Sequence, residues 1–131
     1  MSVQRDALIF ALNTSYAVEK ISADDTYKIT LEVEGGRIQL VFVAFFDFVY
    51  TVFSPIAPYS DGNLAHILSE VVDNSTLGIS VIQGMVVVTN SVTFSETPNA
   101  VELQVLHDWI GTIAEEADNL ESILSKGQDN F

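Results

Sequence analysis

Between Leu40 and Tyr50 the chain carries a single charged residue, Asp47, among Leu, Val, Phe, Ala and Tyr. A strand with one wet face alternates apolar with polar residues. Here both phases of the alternation are apolar, so both faces of the sheet this run enters need cover. The stretch from Ile38 to Pro58 is long enough to raise the question of a membrane span. A carboxylate near its centre costs roughly 2.5–3.5 kcal/mol on insertion scales. Gln39, Thr51 and Ser54 add to that cost, and no basic cluster flanks the run. Its β-branched and aromatic residues predict strands, with no membrane partner.

With 131 residues the chain has the length of one domain, residues 1–131, with enough mass for a core of its own. The 18 Asp and Glu outnumber five Lys and Arg, for a net charge of -13. Affinity for a phosphate backbone comes largely from clustered Lys and Arg, so nucleic acid and anionic membrane surfaces are poor partners. A basic protein is favoured instead. There is no cysteine, which removes disulfides, thiolate metal sites and Cys nucleophiles, and fits a reducing compartment. The start, with Arg5 and Asp6 before a short apolar patch from Ala7 to Leu12, lacks the pattern of a secretory signal.

The spacing predicts a helix from about Val3 to Leu12, weakened by Asn13-Thr14-Ser15; whether it resumes through Ala17 to Ile21 is left open by the pattern. Asp24-Asp25 marks a break. Tyr27 to Glu34 alternates cleanly as a strand, and Gly35-Gly36 suits a two-residue type I′ turn. A second strand follows from Arg37 to about Phe45, Asp47 marks a tight turn, and a third strand from Phe48 to about Ile56 ends at Pro55 and Pro58. Ser60 or Asp61 caps a helix whose apolar face is Leu64, Ile67, Leu68, Val71 and Val72. Asp73-Asn74-Ser75 stops it. Leu77–Ile82 and Met85–Thr93 form a second hairpin around Gln83-Gly84. Thr97, with Pro98 at the first helical position, caps a long helix to about Leu124. Its stripe is Val105, Leu106, Trp109, Ile110, Ile113, Ala117, Leu120 and Leu124. The tail from Ser125 to Phe131 is expected to fray.

This is an α+β chain in the order α-β-β-β-α-β-β-α, with a two-layer architecture and an antiparallel five-stranded sheet. The order resembles the type III secretion chaperone-like fold, and also a family of bacterial sensory-transduction regulators that shares it. The most specific stretch runs from Leu64, Ile67, Leu68, Val71 and Val72 through Asn74 to Leu77-Gly78-Ile79-Ser80-Val81, Gln83-Gly84 and Met85 to Thr89. The family has a similar apolar helix end, an Asn, and two short strands around a Gly turn. The central hairpin departs from the family in its aromatic content: Phe42, Phe45, Phe46, Phe48, Tyr50 and Phe53. The resemblance implies a small, acidic, cytoplasmic homodimer that holds another protein and is no enzyme.

Three helices can cover one face of such a sheet. The other face, carrying Val41, Val43, Phe45, Val49, Thr51 and Phe53 or the opposite set, would stay exposed as a dimer or partner surface. Phe45, Val49, Tyr50 and Phe53 are the expected contact residues, and Trp109 a core anchor. Trp109, Ile113, Leu120 and Leu124 could alternatively form a seam with a second copy, but a core stripe is the simpler account. His66 and His107 lack metal-site spacing and read as surface histidines. Glu115, Glu116, Asp118 and Glu121 read as a solvated helix face, since successive helical positions point apart. No catalytic motif and no cofactor or metal site is indicated. The function expected is non-enzymatic protein binding. The alternative is a small ligand-binding domain or enzyme with an aromatic pocket near Asp47, whose carboxyl would then be buried and functional.

Overall fold

The computed structural model describes residues 3–22, 25–33, 36–71, 78–95 and 99–129. Its elements are α1 (Val3–Ser15), β1 (Ala17–Ser22), β2 (Thr26–Glu32), β3 (Ile38–Phe46), β4 (Val49–Pro58), α2 (Asp61–Val71), β5 (Gly78–Ile82), β6 (Met85–Thr93) and α3 (Ala100–Asp129). The six strands make one antiparallel sheet in the order β1-β2-β3-β4-β6-β5. The expected five-stranded sheet gains a strand at the N-terminal end. Asn13 Nδ2 and Thr14 Oγ1 bond back to the carbonyls of Ile9 and Phe10, which competes with helix continuation. Ala17–Ser22 then pairs with β2. The resumed helix considered from the sequence does not form, and this segment alternates Val18 inward with exposed Ala17 and Glu19.

The hairpins follow from their turns. Ile82 pairs with Met85, and Gln83 and Gly84 both have positive φ (49° and 77°), the signature of a two-residue type I′ turn. At the β2–β3 turn Val33 N donates to Arg37 O, so the loop holds three residues, not the two expected. Gly36 takes a φ of 76° there, while Gly35 lies outside the described residues. Phe46 pairs with Val49, leaving Asp47 and Phe48 as the β3–β4 turn.

Pro55 does not end β4, which runs on to Pro58. A register shift between Pro55 and Ala57 makes a bulge against β6, one of the few places a strand tolerates proline. Pairing of β4 with β3 extends only as far as Phe53 with Phe42, so the strands separate beside Pro55.

The helices pack against one face. α3 lies on β3, β4 and β6; α1 touches β1 and α3; α2 touches α3. Leu106, Ile110, Ile113, Ala117, Leu120 and Leu124, at alternating spacings of three and four, are buried in the core. They meet Tyr27, Ile29, Val41, Val43, Phe45, Tyr50, Val52, Val86 and Val88, together with Leu8, Leu12 and Ile67. Fully burying one such aliphatic side chain stabilises by about 1.5–3 kcal/mol. The seam between copies suggested for α3 is excluded, because Ile113, Leu120 and Leu124 are consumed by the chain's own core. Trp109 packs at the edge of that core, half-buried.

In α2 Ile67 is buried and Leu64 packs on the core, but Leu68 is 44% exposed. The rest of the expected link, Val72 to Leu77, lies outside the described residues. Ser60 Oγ accepts from Asn63 N and caps α2. At α3 the cap is Asn99, whose Oδ1 accepts from Glu102 N at 2.9 Å. The helix begins two residues after Pro98, and Thr97 and Pro98, the expected start, lie outside the described residues. No helix among the described residues is long and apolar enough to cross a membrane.

Candidate functional site

Among the described residues no helix lies on the second face of the sheet. The two-residue turn at Asp47 and Phe48 pairs Phe45 with Tyr50 and Phe42 with Phe53. Odd-numbered residues of β3 therefore share a face with even-numbered residues of β4, and the set expected to lie together is split between the two faces. Phe45 and Tyr50 are 2% and 1% exposed and stand under the helices, so neither is a contact residue on this surface. Val49 and Phe53, half-buried, stand on the open face.

That face is concave. A hollow of about 700 Å³ lies over its middle, walled by Phe42, Phe46 and Phe53, with Ile21 and Ile82 among its apolar borders. Ala44 and Val87 are 7% and 2% exposed without belonging to the helix-side core. The flanking side chains shield them, so they form its floor. Phe42 and Phe53 stack at 5.2 Å with an interplanar angle of 12°. Phe46 is 57% exposed at one end. None of the lining residues is charged; Thr26, Thr51 and Gln83 are polar. Charge returns on β1 and β2, where Lys28 Nζ pairs with Glu19 at 3.0 Å. The lone charge in the apolar run, Asp47, is exposed at the hairpin tip with a φ of 22° and does not line the hollow. The buried functional carboxyl considered there is therefore replaced by a turn residue.

On the helix side the same strands hold a polar cluster. Where β3 and β4 separate, Gln39 Nε2 donates to Ser54 Oγ at 2.9 Å and to Glu121 Oε1 at 3.1 Å, and lies 3.5 Å from the Pro55 carbonyl. Ser54 Oγ donates to the Leu40 carbonyl. These side chains bridge the strands where the backbone ladder has stopped. Beside them Arg37 grips Asp118 with both prongs of its guanidinium, Nε at 2.9 Å and the second nitrogen at 2.5 Å. That fork holds the Asp118 carboxyl below the usual carboxylate range, against desolvation. Burial instead pushes the Glu121 carboxyl up, with Asp118 adding to the rise. Asp118 and Glu121 thus leave the solvated face expected for them. Sequence reasoning missed the pair because acids at i and i+3 along a helix are ordinary surface composition. The available signal was Gln39, a polar residue at an inward position of an apolar strand.

His107 is also engaged: its Nδ1 is 2.8 Å from the Tyr16 hydroxyl, which ties the start of β1 to α3. His66 is half-buried on α2. The Tyr50 hydroxyl is buried without a hydrogen-bond partner among the described residues. Desolvation, with Glu102 as a second cause, pushes that phenol up to about 12.

No protein-family model and no curated protein matches the chain. Among solved structures it is similar to a chain of the heterodimeric complex ExoU–SpcU from the type III secretion system of Pseudomonas aeruginosa. That match has a TM-score of 0.51 at 12% identity and covers 92% of this chain and 95% of the other. The likeness is one of fold alone: helices and an antiparallel sheet, with six strands in this chain where the element order predicted five.

Proposed function

We propose that the chain is a non-enzymatic, chaperone-like protein-binding domain whose open sheet face holds an apolar segment of a partner protein or of a second copy. One observation carries the reading: a charge-free concavity, walled by Phe42, Phe46 and Phe53, is left uncovered while all three helices pack on the opposite face. Exposed apolar surface of this kind marks interaction sites in soluble proteins. A stable interface buries ~800 Å² on each partner. The surrounding charge selects among partners, since 18 acidic residues against five basic ones favour a basic protein and repel an acidic one. The structural likeness to a chain of a heterodimeric complex supports a protein as the occupant. Among the expected contact residues Val49 and Phe53 are retained, with Phe42 and Phe46 added. A cytoplasmic homodimer is the simplest state that meets the need for cover.

Light scattering and partner capture with the intact chain and with Phe46→Glu test this reading. Phe46 is largely exposed and turns no side chain into the core, so the variant should keep its melting temperature. The expected result is a dimer or stable complex for the native chain and its loss in Phe46→Glu. A native chain that stays monomeric at high concentration and captures a small apolar molecule but no protein would favour the aromatic pocket of a ligand-binding domain instead.

A further inference from the structure

The polar cluster under α3 holds an unmet hydrogen bond with a specific chemical remedy. Gln39 is 3% exposed, and its Oε1 has no donor among the described residues. Its Nε2, on the same planar amide, already donates to Glu121 Oε1 at 3.1 Å. An ionised carboxylate is acceptor-only and can satisfy just the nitrogen end of that amide. A neutral carboxyl has one acceptor oxygen and one O–H donor on a plane of matching size. It can answer both ends at once, with N–H donating to its carbonyl and its O–H donating to Oε1.

We propose that Gln39 and Glu121 form a proton-operated latch, in which a protonated Glu121 carboxyl pairs with both ends of the Gln39 amide and fastens α3 to β3. The step is uptake of one proton from solvent onto Glu121; no other bond is made or broken except hydrogen bonds. The charged groups bearing on Glu121 are Asp118, one turn earlier on α3, and Arg37 from the β2–β3 turn. β3 and β4 face the cluster with neutral groups: Gln39, Ser54 and the Pro55 carbonyl. Burial is the largest influence on Glu121 and raises its proton affinity; Asp118 adds to this, whereas the Gln39 bond and Arg37 oppose it. A native value raised above the unfolded one means stabilisation that is complete below the unfolded value, ~4.3 for Glu, and lost as pH rises through the native value. The latch therefore closes in mild acid, whatever occupies the open face of the sheet.

Two measurements on the full chain test the latch. A carbon-13 NMR titration of the Glu121 carboxyl should give a midpoint above the ordinary glutamate value of ~4.3. Thermal melts of the native chain and Glu121→Gln should diverge with pH. An amide at position 121 offers donor and acceptor at every pH, so the variant should melt higher at pH 8, by about 3 °C for one recovered hydrogen bond. The gap should narrow as pH falls through the Glu121 midpoint that the NMR titration reads. Asp118 and Arg37 are common to both chains, so their own titration cancels to first order. A midpoint at or below the ordinary value overturns the latch even if the variant fails to fold. A melting gap independent of pH, or a native chain more stable than the variant at pH 8, also overturns it.

Discussion

Asp118 shows how much a single carboxylate can do when a helix turns it inward. Its two oxygens take both prongs of Arg37 across the joint between α3 and the β2–β3 turn. Replacing it with Asn removes the charge-assisted fork and should cost about 1–3 kcal/mol, read as a lower melting temperature. The native value of Asp118 is depressed. Its contribution is therefore present above the unfolded value of ~3.9 and lost as pH falls through the native value. The gap between native and Asp118→Asn should be full at neutral pH and shrink below about pH 4; a gap constant down to pH 2 would show that the fork is not the cause. Gly84 gives a second residue-scale expectation. Its φ of 77° with open space at the missing Cβ makes Gly84→Ala a test of backbone conformation alone. A loss of about 1–2 kcal/mol is expected in chemical denaturation, the usual cost of placing a Cβ in the left-handed region. This glycine was legible in the sequence because its chemistry is local. Asp118 and Gln39 were not, because their partners are 81 and 82 residues away.

Elements follow the same division between local and distant causes. α2 with its Ser60 cap, the β5–β6 hairpin and the stripe of α3 were all readable from spacing and turn chemistry. At the start of α3 Asn99 makes the cap, while Thr97 and Pro98, the stronger sequence signal, lie outside the described residues. Glu102 completes the arrangement by accepting from the backbone N and hydroxyl of Ser95, which keeps its carboxyl below the usual range. Asn99→Ala should destabilise by about 1 kcal/mol, with faster amide exchange confined to the first turn of α3. Uniform loosening across the helix, or none, would contradict that assignment. β1 escaped the sequence because six residues after a weakened helix carry a strand pattern too short to outweigh helix continuation. Its pairing with β2, a tertiary cause, settles its conformation.

At the scale of the whole molecule, the excess of apolar sheet over helix was visible in the run from Leu40 to Tyr50. Which residues faced which way was not. Face assignment across β3 and β4 depends on the parity of one turn, and two residues at Asp47 and Phe48 place Phe45 and Tyr50 inside while Phe42 and Phe53 stand outside. The core side is closed by the chain itself, and the other side offers stacked aromatic rings above an apolar floor. This asymmetry is the basis for reading the domain as a binder of protein. It is tested most directly by NMR with a soluble paramagnetic probe, on chain dilute enough to be monomeric. Strong broadening is predicted for the rings of Phe42, Phe46 and Phe53 beside silent signals from Phe45 and Tyr50. Phe42 and Phe53 as protected as Phe45 in that solitary chain would contradict the account.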